Sequence, residues 1–521
     1  MSLRVLFAKR SSLRLIATLF LFASLLLVCT FTLAQTRRPL PNNPLAKIER
    51  DIDLGRLAEA ERQLFDYAVA NPRDVRALEL LAGLRLQQNR LSEAEALYRR
   101  VLAIEPARDQ AKVYLAHVLF KSARQLESRD LFVEVSKSTL SDPRLRMSLA
   151  EGLLLVGEFE KSLAAAGGLP PAWKNAAALP VIAASELALG HRQNVRALIP
   201  AMLRGATNPL VAVRCIQVLQ NAGLSVEAMT LARKALTLSP NDLNVLLAVA
   251  QLELTGRNFA EARKYLNRAA LLHPRSSEVF STMAIVENAE GNPTAALSNL
   301  QRARTLSPES STVLGQLAVT AMRVNQAALA VEVAKDLLTR EPNDPEALYL
   351  FGAASLQNGG LVAARDALEQ FVKKQPNDVR GCLALGITIA AEKTSVLAAR
   401  SQFEHCLQLD ATNVEAKYQL GLLSKSEGET ANAIKLFEDV ITRAPNHANA
   451  LRDLGSMYLQ SNDAAKARSA LERAVALNDR DPETHFLLSR VYNRVGESAL
   501  ATRHLELFQK LKSQREKPST P

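Results

Sequence analysis

From residue 45 to residue 512 the chain places apolar or small side chains at spacings of three, four and seven, with polar residues between them. That pattern marks one face of an α-helix. Ala262, Leu266 and Ala269 form one such stripe, and Ala433, Phe437 and Val440 form another. A second small residue recurs twelve positions before each of these alanines: Ala250, Ala284, Ala318, Gly352, Gly421 and Gly455. Each unit is therefore predicted to hold two amphipathic helices, with the small residues where their backbones cross closely.

Punctuation supports the same division. Pro240, Pro274, Pro308, Pro342 and Pro376 are each 34 residues apart. They sit in LSPND, LHPRS, LSPES, REPND and KQPND. The spacing slips by one at Ala411 in LDATN and resumes with Pro445, while Pro72 and Pro106 are again 34 apart. Proline cannot donate a helical hydrogen bond, so it ends one unit before the next begins. Residues 109–242 keep helical periodicity but lose the phase, interrupted by Gly167-Gly168 and Pro170-Pro171.

The small residue, the alanine and the closing proline resemble the tetratricopeptide repeat family, most clearly in 75–108 and 243–512. The run YQLGLLSKSEGETANAIKLFEDVITRAP at 418–445 carries all three. The resemblance implies an all-α, right-handed superhelical solenoid of antiparallel helix pairs, about 13–14 repeats over 45–512. Such units bury their apolar faces only against neighbours. It further implies that the first helix of each pair lines an inner groove. Projected onto this chain, the groove positions are Leu247, Ile285, Val319, Met322, Tyr349, Leu350, Leu356, Leu383, Ile387, Tyr418 and Leu422. Two readings of this apolar set stand: neighbouring turns cover it, or it is an open groove for an amphipathic helix or extended peptide. In the second reading Tyr349 and Tyr418 are expected to keep their hydroxyls at a wet edge.

Residues 15–34, LIATLFLFASLLLVCTFTLA, are uncharged and follow Arg4, Lys9, Arg10 and Arg14. This reads as an export signal cut before Gln35, or as an uncleaved anchor, since about 20 apolar residues can span a bilayer. A lipoprotein signal at Cys29 fits poorly, because Val28 stands where a small residue is needed. The reading places the body in the periplasm or at the envelope, with 35–44 as a flexible linker holding three prolines and 513–521 as a polar tail.

Charge and candidate chemistry narrow the function. The net charge is +11, but four positive charges belong to the leader, leaving 60 basic and 53 acidic side chains. No dense basic stripe suggests nucleic acid. The histidines lie at least 13 residues apart, no phosphate loop or nucleophile elbow is found, and no cofactor or metal is expected. Glu93 and Glu95 beside Arg99 and Arg100 read as surface ion pairs. The expectation is a non-enzymatic scaffold that holds a partner protein or peptide at the cell envelope. The alternatives are an accessory subunit of an envelope polysaccharide or protein export machine, and an enzyme with a site in 143–208 around Trp173, Glu186 and His191. Cys382 and Cys406 fall at facing core places in one repeat; free thiols are the favoured reading, a disulfide the other.

Overall fold

The computed structural model describes residues 44–516, apart from 55 and 175. The expected leader, the linker up to 43 and residues 517–521 of the expected tail lie outside the described residues. Residues 513–516 continue the last helix, Ser498–Glu516, and Pro44 opens the first, Pro44–Asp53. Every regular element among the described residues is helical. The chain divides into two compact units, Met1–Arg275 and Ser276–Pro521. Each described part is a stack of seven helix pairs, in which successive first helices also touch one another.

The proline punctuation works together with the residue two places further on. In LSPND, Asp242 caps the helix Leu243–Thr255 by accepting the Val245 amide at 3.0 Å. Asp344 accepts the Ala347 amide at 2.9 Å and Asn413 that of Ala416 at 2.8 Å. Even His447 serves, its Nδ1 taking the Ala450 amide at 3.1 Å. Each such cap satisfies an orphan donor, worth about 1 kcal/mol.

Within pairs, the turn between helices is made by one residue in the left-handed region. The series runs Asn89, Ala123, Gly157, Gly190, Gly223, Arg257, Gly291, Asn325, Gly359, Lys393, Gly428, Asn462 and Gly496. It passes through 109–242 without a break. That stretch loses its sequence phase because its second helices are shortened or broken, as in Phe159–Gly167 and in Arg192–Ala197 followed by Ile199–Gly205.

The small residues stand where the helices cross. A Cβ on Gly421 would lie 2.5 Å from Phe437 Cε1, and one on Gly352 would lie 2.6 Å from Leu368 Cγ. Phe437 opposite Gly421 and Phe403 opposite Gly386 are fully enclosed at these crossings. In the pair Val379–Glu392 and Val396–Leu409, Cys382 and Cys406 form a disulfide with their Cα atoms 5.8 Å apart. The favoured expectation of free thiols is thereby corrected: two core positions meet at the end of the pair away from its turn, close enough to bond. Cys215 is free and buried, and burial pushes its thiol up to about 12.

Candidate protein-binding faces

Two of the cavities along the first helices lie one in each unit. In the second unit a cavity of about 270 Å³ lies among Ser277–Glu290, Ser311–Arg323 and Pro345–Gln357. Ile285, Val319 and Leu350 line it together with Gly315 and Gln316. Ile285 and Val319 are each 37% exposed, high for aliphatic side chains, whereas Leu350 is buried and forms the floor. The rim is polar. Glu346 accepts both Arg380 Nη groups, at 3.0 and 2.9 Å, and Arg323 donates to Asn288 Oδ1 at 2.9 Å. Gln316 Oε1 is buried with no hydrogen-bond partner among the described residues.

The remaining expected groove residues distribute around this cavity rather than within it. Met322, Tyr349 and Leu356 are half-buried against the core. Tyr349 packs on Phe371 at 5.4 Å and under the Arg380 guanidinium at 4.5 Å, and burial raises its hydroxyl pKa. Leu383, Ile387 and Leu422 are half-buried further along. Tyr418 departs from expectation: it is buried, and its hydroxyl donates to Asp453 at 2.8 Å instead of meeting water. Leu247 is buried and belongs to the first unit.

A more enclosed cavity, about 190 Å³, lies in the first unit, and none of the expected groove residues lines it. Its origin is Gly83, the ninth residue of the helix Val75–Gln87. Other first helices carry a side chain at that ninth place, such as His117, Glu151, Ile285, Val319 and Ile387. With none at Gly83, space opens over Tyr98, whose hydroxyl would be 3.9 Å from a Cβ there. The Tyr98 and Tyr114 rings lie 6.1 Å apart and 20° from parallel, giving the cavity an aromatic wall.

The acids at this wall are neutralised. Arg108 donates to both Glu79 oxygens, at 3.0 and 2.8 Å. Arg214 reaches Glu151 at 2.8 Å from two pairs downstream, past the short helix Leu179–Ala188. His117 bonds through Nε2 to the Ser148 carbonyl at 3.1 Å, and burial lowers its pKa to about 4. The lining is thus apolar and charge-compensated, suited to a bulky apolar side chain rather than to an ion. A single glycine at one phase of one repeat gave too little signal to find this cavity from sequence.

The surface ion pair expected around Glu95 is present, with Arg99 at 2.8 Å. Of the residues considered for an enzyme site, Trp173 packs against the core, while His191 and Glu186 form an exposed pair at 2.8 Å. Among the described residues, no group of three or more His, Cys, Asp or Glu side chains could hold a metal ion, and no helix is long and apolar enough to cross a membrane.

Comparison with known proteins agrees with this geometry. Tetratricopeptide repeat families match residues 45–111, 316–379 and 425–491. Those three stretches therefore carry tetratricopeptide repeats. It is 26% identical over 110 residues to the cellulose synthase operon protein C of Pseudomonas fluorescens, 21% of this chain and 9% of that protein. It is 41% identical over 51 residues to the cellulose synthase 2 operon protein C of Komagataeibacter xylinus, 10% of this chain and 4% of that one. The matched stretches thus span less than a tenth of either relative. Among solved structures, the Cut9–Hcn1 tetramer of the APC/C is similar over 86% of this chain and 95% of that chain, at 14% identity and TM-score 0.41. YrrB, a tetratricopeptide repeat protein with a peptide-binding site, is similar over 36% of this chain and 95% of that chain, at 17% identity and TM-score 0.32.

Proposed function

We propose that this chain is a non-enzymatic scaffold that holds a partner polypeptide on the inner faces of its repeats, outside the cytoplasm. The observation that carries the reading is the cavity lined by Ile285, Val319 and Leu350. It combines an apolar floor with the polar rim of Glu346, Arg380, Asn288 and Arg323, the anatomy of a protein-binding patch. The binding energy would come from burying a few apolar anchors of the partner in this cavity. The surface is preformed, so little is spent on ordering it. Export is supported by the apolar leader and by the Cys382–Cys406 disulfide, since such bonds persist in oxidising compartments.

A photo-crosslinking residue placed at Val319, in intact cells, tests the reading. The expected outcome is a discrete crosslinked partner from position 319, lost when Gly315→Leu fills the cavity, and no product from the exposed outer residue Val362. Equal labelling from 319 and 362 would overturn it.

A second reading is favoured by the matches to the two cellulose synthase operon proteins. On that reading the partner is a component of an envelope machine that makes or exports polysaccharide. Copurification of the full chain with a glycosyltransferase or an outer-membrane pore supports it; a crosslinked partner unrelated to polysaccharide refutes it.

A further inference from the structure

The last helix pair, Pro482–Arg494 and Ser498–Glu516, is joined by a contact that the scaffold reading does not use. His485 Nδ1 and His504 Nδ1 are 2.9 Å apart, their rings stacked at 5.1 Å. The Nε2 of His485 lies 2.9 Å from the Asp479 carbonyl oxygen, which can only accept. His485 therefore carries its proton on Nε2 and offers a bare Nδ1, and His504 must donate from Nδ1. One arrangement of protons satisfies both bonds.

We propose that this histidine pair makes the C-terminal helix open in acid: the pair keeps its contact with one added proton and loses it with the second. The first proton can go to His504 Nε2, which leaves the Nδ1–H donor in place and strengthens the bond by charge. The second must go to His485 Nδ1, so two N–H groups and two positive charges then face each other.

The surroundings set where this happens. Burial and His485 both lower the His504 pKa, and Arg503 adds to them, while Glu472 opposes. Glu472 lies on the helix Ala464–Leu477 and accepts the Tyr492 hydroxyl at 2.8 Å; the Tyr492 ring stacks on His504 at 5.4 Å. Arg468 of the same helix neutralises Glu472 at 2.8 Å and also pairs with Glu497 at 2.6 Å. Around His485, Asp481 is already paired with Arg452 at 3.4 Å, and Asp453 is paired with Arg452 at 3.2 Å and with Lys425 at 2.7 Å. Glu472, Asp481 and Asp453 thus already have cationic partners. Once freed, the helix withdraws Leu500 and Ala501 from the cluster of Leu488, Val491 and Tyr492.

Hydrogen exchange on the full chain tests this, corrected for the intrinsic pH dependence of exchange. Between pH 7.5 and pH 4.5, the amides of 498–516 are expected to open at least tenfold more often, while those of 448–460 keep their protection. The His504→Asn variant, whose amide still donates to His485 but does not titrate, is expected to lose the response. An identical acid response in the variant, or none in the wild type, overturns the proposal. Side-chain nitrogen NMR at pH 7.5 gives an independent reading: His485 should carry its proton on Nε2 and His504 on Nδ1, and the opposite tautomer at either ring would refute the arrangement.

Discussion

The Tyr418 hydroxyl donates to Asp453 Oδ2 across 2.8 Å, from the first helix of one repeat to the first helix of the next. Asp453 also accepts from Lys425 at 2.7 Å, so one buried carboxylate ties together two sites on one helix and the helix that follows. The Tyr418 ring adds a contact to His447 at 4.8 Å and to Phe437 at 5.8 Å.

Tyr418→Phe should lower stability by about 1 kcal/mol, the net worth of one hydrogen bond to a charged acceptor that keeps other donors. Tyr418→Ser also leaves a cavity beside Phe437 and should cost about 3–5 kcal/mol. Urea unfolding of both variants checks the ordering. A Ser variant as stable as the Phe variant would show that the ring does not pack as described.

Gly421→Leu should destabilise by roughly 1–3 kcal/mol through overpacking, because even a Cβ would meet Phe437 Cε1 at 2.5 Å. Phe437→Ala in the same chain should return part of that loss by making room. A double variant showing simple addition of the two single losses would argue against direct contact.

Replacing Cys382 and Cys406 together with Ser should cost on the order of 3 kcal/mol in the chain-entropy account. Labelling the denatured, unreduced protein with a thiol reagent should modify Cys215 and neither Cys382 nor Cys406. Modification at those two positions would show the bond is not formed.

His117 gives a pH prediction. Burial lowers its pKa to about 4 in the folded chain, against an ordinary value of about 6.5. The unfolded chain therefore binds the proton first as pH falls. Its contribution is intact above about pH 6.5 and is lost progressively toward pH 4, amounting to about 3 kcal/mol. His117→Gln can still donate to the Ser148 carbonyl and should flatten the stability profile over that window. An unchanged slope would place the titration elsewhere.

The pairwise fold was legible because its determinants are local and periodic. The proline and its capping Asp or Asn set one helix start, and Gly421 or Gly352 facing Phe437 or Leu368 sets the crossing. The left-handed turn residue was harder to read, since Ala123, Arg257 and Lys393 occupy it as well as glycines. The candidate faces were less legible. Exposure at a groove position depends on the neighbouring repeat: Tyr349 and Tyr418 hold the same fifth place of their helices, yet Tyr349 is half-buried while Tyr418 is buried by Asp453 and His447. Pairings such as Arg214 with Glu151, 63 residues apart, follow no period at all.

The Cys382–Cys406 bond also has a mechanical consequence. Pulled from its two ends, a stack of helix pairs should come apart pair by pair, each release lengthening the chain by the contour of about 34 residues, roughly 120 Å. The cross-linked pair is different, because the covalent bond bridges a sequence separation of 24 and bears the load in its place. Its release should be shorter by about 80 Å, and the missing length should reappear when the bond is reduced.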